Sequence, residues 1–296
     1  MNTSYAPFTV APDDYQLPGD IVLGAVTLQV SSLERSLYYY TRVVGLRVLQ
    51  RAGQVASLGI IGSDEVLVCL REKAGVHAVP PRGRLGLYHF AILLPSRAAL
   101  GQFLAHLGEI NEYAGMSDHL VSEALYLTDP DGLGIEVYAD RPRAGWRVEG
   151  TALAMATDAL NVADLLAAAG ATPWVGMPPG TRIGHVHLYV DTLEKSAAFF
   201  HRSLGFDRVE LQFPGALFLS AGGYHHHLGT NTWAARSPVA TGDDARLLEW
   251  TMHFASVAEV RDVAQALDRA GFPPTWDDGA AVVTDPWGTR LRLSVV

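Results

Sequence analysis

The stretch from Leu87 to Pro142 gathers the residues best suited to metal chemistry. An apolar run, Leu87-Tyr-His89-Phe-Ala-Ile-Leu-Leu-Pro95, carries one histidine, and a second, Gly134-Ile-Glu136-Val-Tyr138, carries one carboxylate. Between them lies a polar segment, Ser117-Asp-His119-Leu-Val-Ser122-Glu-Ala-Leu-Tyr126-Leu-Thr-Asp129-Pro-Asp-Gly132. Both runs have the length and composition of buried strands, so each sets its ionisable group among large hydrophobes. A carboxylate so placed costs on the order of several kcal/mol unless a cation or strong donors meet it. A metal ion meets that need. His89 with Glu136 supplies two-thirds of a two-histidine, one-carboxylate face, the donor set of non-haem iron oxygen chemistry.

The elements that must position these groups form a repeat. From Ile21 a strand, Val22–Val30, leads into a helix opening at Ser31-Ser32, with Leu33, Leu37, Tyr40 and Val44 at helical spacing and Gly45 as its stop. Short strands are expected around Val48-Leu49, Val55–Leu58 and Val66–Leu70. The same order returns with strand Tyr88–Leu94 and a helix from Ser96 that turns Leu100, Phe103, Leu104 and Leu107 inward. Strands around Leu120-Val121, Ala124–Thr128 and Ile135–Tyr138 complete this second unit. A third unit begins at Arg182, where Leu193-Glu-Lys-Ser196-Ala-Ala-Phe-Phe200 followed by Leu204-Gly205-Phe206 repeats Leu33-Glu-Arg-Ser36-Leu-Tyr-Tyr-Tyr40 followed by Val44-Gly45-Leu46. In the fourth, Met252-His253-Phe-Ala255 echoes Tyr88-His89-Phe-Ala91, and Asp285-Pro-Trp-Gly288 echoes Asp129-Pro-Asp-Gly132. Such repetition is evidence about architecture. The expected layout is an arm over 1–20, an N-terminal domain over 21–142 with units one and two, a linker over 143–181 with a short helix capped by Asn161, and a C-terminal domain over 182–296 with units three and four.

Composition narrows the function. Hydrophobic residues at 49% and charged residues at 18% describe a soluble globular chain of 296 residues. Its apolar runs are all shorter than the ~20 residues a membrane span needs, and Met1-Asn-Thr-Ser-Tyr-Ala-Pro has no signal-peptide pattern. Cys69 is the sole cysteine, which rules out an internal disulfide and fits a cytoplasmic location. A net charge of -9 argues against nucleic acid and anionic membrane as partners.

Histidine on first strands, glutamate in Gly-x-Ile-Glu and four strand–helix–three-strand units together resemble the vicinal oxygen chelate superfamily. Within it the chain is similar to the two-domain extradiol dioxygenases of the catechol 2,3-dioxygenase type, from Ile21 to Val296, most specifically between His119 and Tyr138. The resemblance implies an α+β fold of βαβββ modules curled in pairs into half-barrels around Fe(II), with Mn(II) left open. It also implies a small aromatic diol and O2 as substrates. His89 and Glu136 fall where one module's metal ligands lie. His119 matches its loop histidine, although the sequence from there to Asp129 is short, and Tyr126 matches a tyrosine beside the substrate.

The other module's residues are displaced. Unit one has Ala25 where the ligand histidine belongs, and unit three has His185, with His187 as its rival on the same strand face. Unit three also holds the expected outer histidine in Tyr224-His225-His226-His227. Strand alternation sets His225 and His227 against His226, and the glycine register favours His225, which would hydrogen-bond the substrate side and pass a proton. Unit four has His253 but Arg292 in place of glutamate. Units two and three therefore make one complete site, either within the chain or between chains of a homo-oligomer. His119 is a candidate base or pocket guard, Arg141 and Arg143 could pair with an acidic substituent or form a solvated rim, and Trp233 could line the pocket. His253, His77, His106 and His201 are expected to be non-catalytic, the last three at the surface. Two rivals remain. A glyoxalase-type isomerase or epimerase would take a carboxylate from both modules, and a resistance-type binding protein would lose the ligands.

Overall fold

The structure is a computed structural model describing residues 8–149, 152–210 and 213–296; the first seven residues of the expected arm lie outside that range. Unit one comprises β1 (Val22–Val30), α1 (Leu33–Arg42), β2 (Arg47–Ala52), β3 (Val55–Gly59) and β4 (Val68–Glu72). Unit two comprises β5 (Gly86–Leu93), α2 (Arg97–Glu109), β6 (Gly115–Asp118), β7 (Ser122–Thr128) and β8 (Gly134–Asp140). A two-stranded ribbon, β9 (Val148–Glu149) with β10 (Ala152–Leu153), and α3 (Val162–Ala169) follow. Unit three has β11 (Arg182–Tyr189), α4 (Leu193–Ser196) running into a π-helical stretch (Ala197–Ser203), β12 (Asp207–Glu210), β13 (Ala216–Ser220) and β14 (Leu228–Asn231). Unit four has β15 (Arg246–Phe254), α5 (Val257–Arg269), β16 (Thr275–Asp277), β17 (Ala280–Thr284) and β18 (Arg290–Val295).

Every unit opens its helix in the same way. Ser32, Ser96, Thr192 and Ser256 each accept the backbone N–H three residues on, satisfying one donor that the first turn leaves without a partner. The inward stripes are those the spacing predicts, with Leu33, Leu37 and Tyr40 buried on α1 and Leu100, Phe103, Leu104 and Leu107 on α2.

The sheets join units across the sequence. One eight-stranded sheet runs β12-β13-β14-β11-β5-β8-β7-β6, and the other runs β16-β17-β18-β15-β1-β4-β3-β2. The seam of the first is the antiparallel pair β5–β11, from units two and three; the seam of the second is β1–β15, from units one and four. These are the curled half-barrel sheets of an α+β fold in two repeated halves, and a single chain supplies both partners of each seam. Repeated turns tie the sheets together. Asp131 in the unit-two turn binds Ser31 and Arg35 of unit one, and the Trp287 indole of unit four reaches Asp191 of unit three at 3.0 Å.

Two local expectations are corrected. Leu120, expected in a strand, occupies a turn at φ 67° because Asp118 Oδ1 captures its N–H at 2.9 Å. Pairing therefore stops at Asp118 and resumes at Ser122. His201, expected at the surface, is buried and its ring donates to the Phe206 carbonyl at 2.7 Å. His106 lies 3.2 Å from the carbonyls of Arg42 and Val43 that end α1.

Candidate metal centre

His89 on β5, Glu136 on β8 and His185 on β11 converge from three neighbouring strands of one sheet. Parallel pairing sets Glu136 opposite Ala91, and antiparallel pairing across a bulge sets His185 opposite the same Ala91. The small methyl of Ala91 thus sits between two large polar groups. Glu136 Oε2 lies 3.0 Å from His89 Nε2 and 3.1 Å from His185 Nε2, and the two nitrogens are 3.3 Å apart. All three side chains are at most 5% exposed.

Three lone-pair atoms this close in a dry site repel one another unless a cation sits among them. The Nδ1 atoms of His89 and His185 have no hydrogen-bond partner. A ring proton on each Nδ1 leaves both Nε2 lone pairs facing the carboxylate, which is the tautomer a metal ligand needs. Burial pushes the Glu136 carboxyl up, but His185 and His89 outweigh it and hold it well below the usual carboxylate range. Burial holds His89 down, so its ring sheds its second proton readily. The donor set and its charge state fit a divalent first-row metal.

The centre opens on a cavity of about 300 Å³. Tyr88, Phe213, Phe218 and Trp233 supply aromatic wall, with Met116 and Met155 beside them. His119 and Tyr126 enter together, His119 Nε2 lying 2.6 Å from the Tyr126 hydroxyl. The Ala156 carbonyl takes the His119 Nδ1–H at 2.6 Å. That bond leaves the Nε2 lone pair for the tyrosine O–H. Burial, with Glu136 nearby, pushes the Tyr126 phenol well above its ordinary range, so it is a donor at any working pH. Residues 155–157, from the segment read as a linker, thus close one side of the cavity and orient His119.

The family model of the Glyoxalase/Bleomycin resistance protein/Dioxygenase superfamily matches residues 22–137 and 182–293. The chain belongs to this superfamily. It is 43% identical over 272 residues to a catechol-2,3-dioxygenase of Bacillus subtilis (strain 168), covering 90% of this chain and 94% of that one. On that likeness it is an enzyme, an oxidoreductase of the superfamily's dioxygenase branch. Two solved structures share the fold. One, from Bacillus subtilis subsp. subtilis strain 168, has a TM-score of 0.63 at 14% identity over 95% of this chain and 86% of that one. The other, glyoxalase I from Zea mays, has a TM-score of 0.54 at 18% identity over 93% and 92%.

Against this superfamily pattern the remaining residues fall as follows. His226, not His225, lines the cavity. Tyr224–His227 is a bent approach to β14 and not a strand, so strand alternation does not govern it. The His226 ring lies tilted 4.1 Å from that of His185, while His225 lies fully buried behind it, its Nδ1 2.7 Å from His226 Nδ1 and its Nε2 2.8 Å from Asp140. His187 also lines the cavity, but its Nε2 faces Asn231 at 3.0 Å and it stays outside the triad. Trp233 lines the cavity while half exposed. Arg141 and Arg143 do not line it. Arg141 grips Asp118 at 2.6 Å and Glu123 at 3.2 Å, bracing the turn that carries His119. Arg143 lies over the Trp146 and Tyr224 rings.

In the other sheet the corresponding place is plain scaffold. His253 bonds Ser294 at 3.0 Å, and Arg292 is held by Glu249 and Asp277. Sequence reasoning missed Phe213, Phe218, Met116 and residues 155–157, since apolar and linker residues carry no chemical signature until the chain folds over the metal centre.

Proposed function

We propose that the protein is an extradiol ring-cleavage dioxygenase that holds Fe(II), or Mn(II) on the same donors, with His89, His185 and Glu136, and acts on an uncharged catechol with O2. The observation that carries this reading is the convergence of three buried ligand atoms within 3.3 Å at the wall of an aromatic cavity. When bound, the metal supplies a route for ring electrons to O2 and a charge that favours the deprotonated diol. Both oxygen atoms enter one ring-opened product, so no outside reductant is needed.

The chain's own residues do the rest. Tyr88, Phe218 and Trp233 offer aromatic faces against which a flat ring packs. Among the described residues no lysine or arginine lines the cavity, so a carboxylate-bearing ring would enter without a partner and at a desolvation cost. His119, held by the Ala156 carbonyl, directs Nε2 toward Tyr126 and can take a proton from a diol hydroxyl through the tyrosine O–H or directly. His226, backed by His225 and Asp140, faces the cavity from the unit-three side. The two histidines approach from opposite halves of the sheet.

The test is direct. Purified anaerobically, loaded with ferrous iron and then mixed with catechol and air, the protein should give a yellow ring-opened semialdehyde. Colourless mixtures with catechol and its uncharged derivatives would overturn the assignment.

A further inference from the structure

Of the histidines that line the cavity, His187 alone has no part in the ligand triad, the His119–Tyr126 pair or the His226 support. Yet it is held with care. Alternate residues along β14 and just beyond it act on its ring. His187 pairs with Gly229 in the parallel register of β11 and β14, and a Cβ on Gly229 would stand 2.8 Å from the ring's Cγ and Nδ1. Only glycine leaves room for the imidazole there. Two residues on, Asn231 Nδ2 meets His187 Nε2 at 3.0 Å, and Asn231 Oδ1 accepts the Trp233 backbone N–H at 3.0 Å.

These two bonds fix the ring proton. A backbone N–H can only donate, so the amide atom it meets is the oxygen. The other amide atom is then NH2, which also only donates, and His187 Nε2 must accept. The proton therefore sits on Nδ1. That N–H has no acceptor among the described residues and, unlike the Nδ1 atoms of His89 and His185, it is not fully buried, on a ring that lines the cavity. The ring lies 5.0 Å from that of His89 and 5.2 Å from that of Tyr88, one place along the wall from the ligands. The diol oxygens already have His119, Tyr126 and His226 to serve them, so a further fixed donor calls for a further acceptor on the substrate.

We propose that His187 is a specificity-determining donor whose Nδ1–H receives an uncharged oxygen substituent on the aromatic ring, which makes oxygen-substituted catechols, not alkylcatechols, the preferred class. This rests on the reading of the cavity as a catechol site.

Two probes of equal heavy-atom count separate the alternatives: 3-methoxycatechol and 3-ethylcatechol, titrated by calorimetry into the ferrous protein without O2, so that binding is read apart from turnover. The wild type should favour the methoxy compound by roughly tenfold, the scale of one well-placed hydrogen bond in a dry site. The preference should fall to near unity in His187→Phe, which keeps a ring, and in Gly229→Ala, which displaces it. Nitrogen-15 NMR of the metal-free protein should show the His187 proton on Nδ1. Equal wild-type affinities, a preference that survives in His187→Phe, or a proton on Nε2 would overturn the assignment while leaving the catechol site intact. Failure of both catechols to bind would remove the site reading and this inference with it.

Discussion

At the scale of single residues, the centre distinguishes ligands from look-alikes by what surrounds each side chain. Glu136 faces the Nε2 atoms of His89 and His185 and is almost wholly buried. Arg292, its counterpart in the other sheet, is satisfied by Glu249 and Asp277. Glu136→Ala should therefore lower metal affinity by more than ~100-fold, beyond what outer partners of a metal site command. His253→Ala and Arg292→Ala should retain full metal, as elemental analysis after anaerobic loading would show. Arg141 makes a different prediction. It braces Asp118, whose carboxylate also holds Leu120 at positive φ beside His119. Arg141→Ala should keep the metal but lower kcat by ~10- to 100-fold, since His119 loses its fixed direction; unchanged kcat would remove the bracing role. His89 and Glu136 could be picked out in the sequence because ionisable groups inside apolar runs demand an explanation, whereas His119 and Tyr126 were singled out only by the family resemblance. The choice between His225 and His226 could not, because it depends on a bend that no periodicity encodes.

At the scale of elements, the repeated Asp-Pro-x-Gly turns show how one motif finds different hydrogen-bond partners in two settings. Asp129 and Asp285 each accept two backbone N–H groups through Oδ1. Asp129 Oδ2 also receives the Tyr40 hydroxyl at 3.2 Å, whereas Asp285 Oδ2 is buried without a partner. The repeat explains why: Phe200 in unit three stands at the place of Tyr40 in unit one. Burial raises the Asp285 carboxyl to about 7, as it does that of Asp129. The folded state therefore holds a proton that the unfolded chain releases near pH 4. This contribution to stability is complete below that pH and is lost as pH rises towards 7. Phe200→Tyr should supply the absent donor. The expected gain is ~1 kcal/mol in urea unfolding at pH 8, where Asp285 is charged, and less at pH 5. A loss of stability at pH 8 would show that the two turns are not equivalent. The turns, helix caps and inward stripes were all legible in the sequence, since each rests on local chemistry. The ribbon β9–β10 was not, because its two-residue strands carry no periodic signal.

At the scale of the whole molecule, the sequence order of the units hides their partnership. Units one and two do not share a sheet, and neither do units three and four. β5 crosses to β11, and β1 crosses to β15, so the candidate ligands His89 and Glu136 come from one side of the segment 143–181 and His185 from the other. What betrayed this in the sequence was an asymmetry: histidine without glutamate in units three and four, and glutamate with a single histidine in units one and two. The seam itself was not legible, since antiparallel edges are chosen by packing and not by any residue pattern. Two consequences follow for metal binding. Metal content should saturate at one ion per chain, because the sheet of units one and four offers Ala25, His253 and Arg292 where a second centre would need three ligands. A chain divided within 143–181 should bind metal only when both pieces are present, since one piece carries His89 and Glu136 and the other His185. Co-expressed halves that recover one ion per pair, with neither half loading alone, would bear out the crossed seams. A first half that loads to full stoichiometry by itself would show that Glu136 and His89 recruit a third ligand from their own side, and the crossed arrangement would lose its part in the centre.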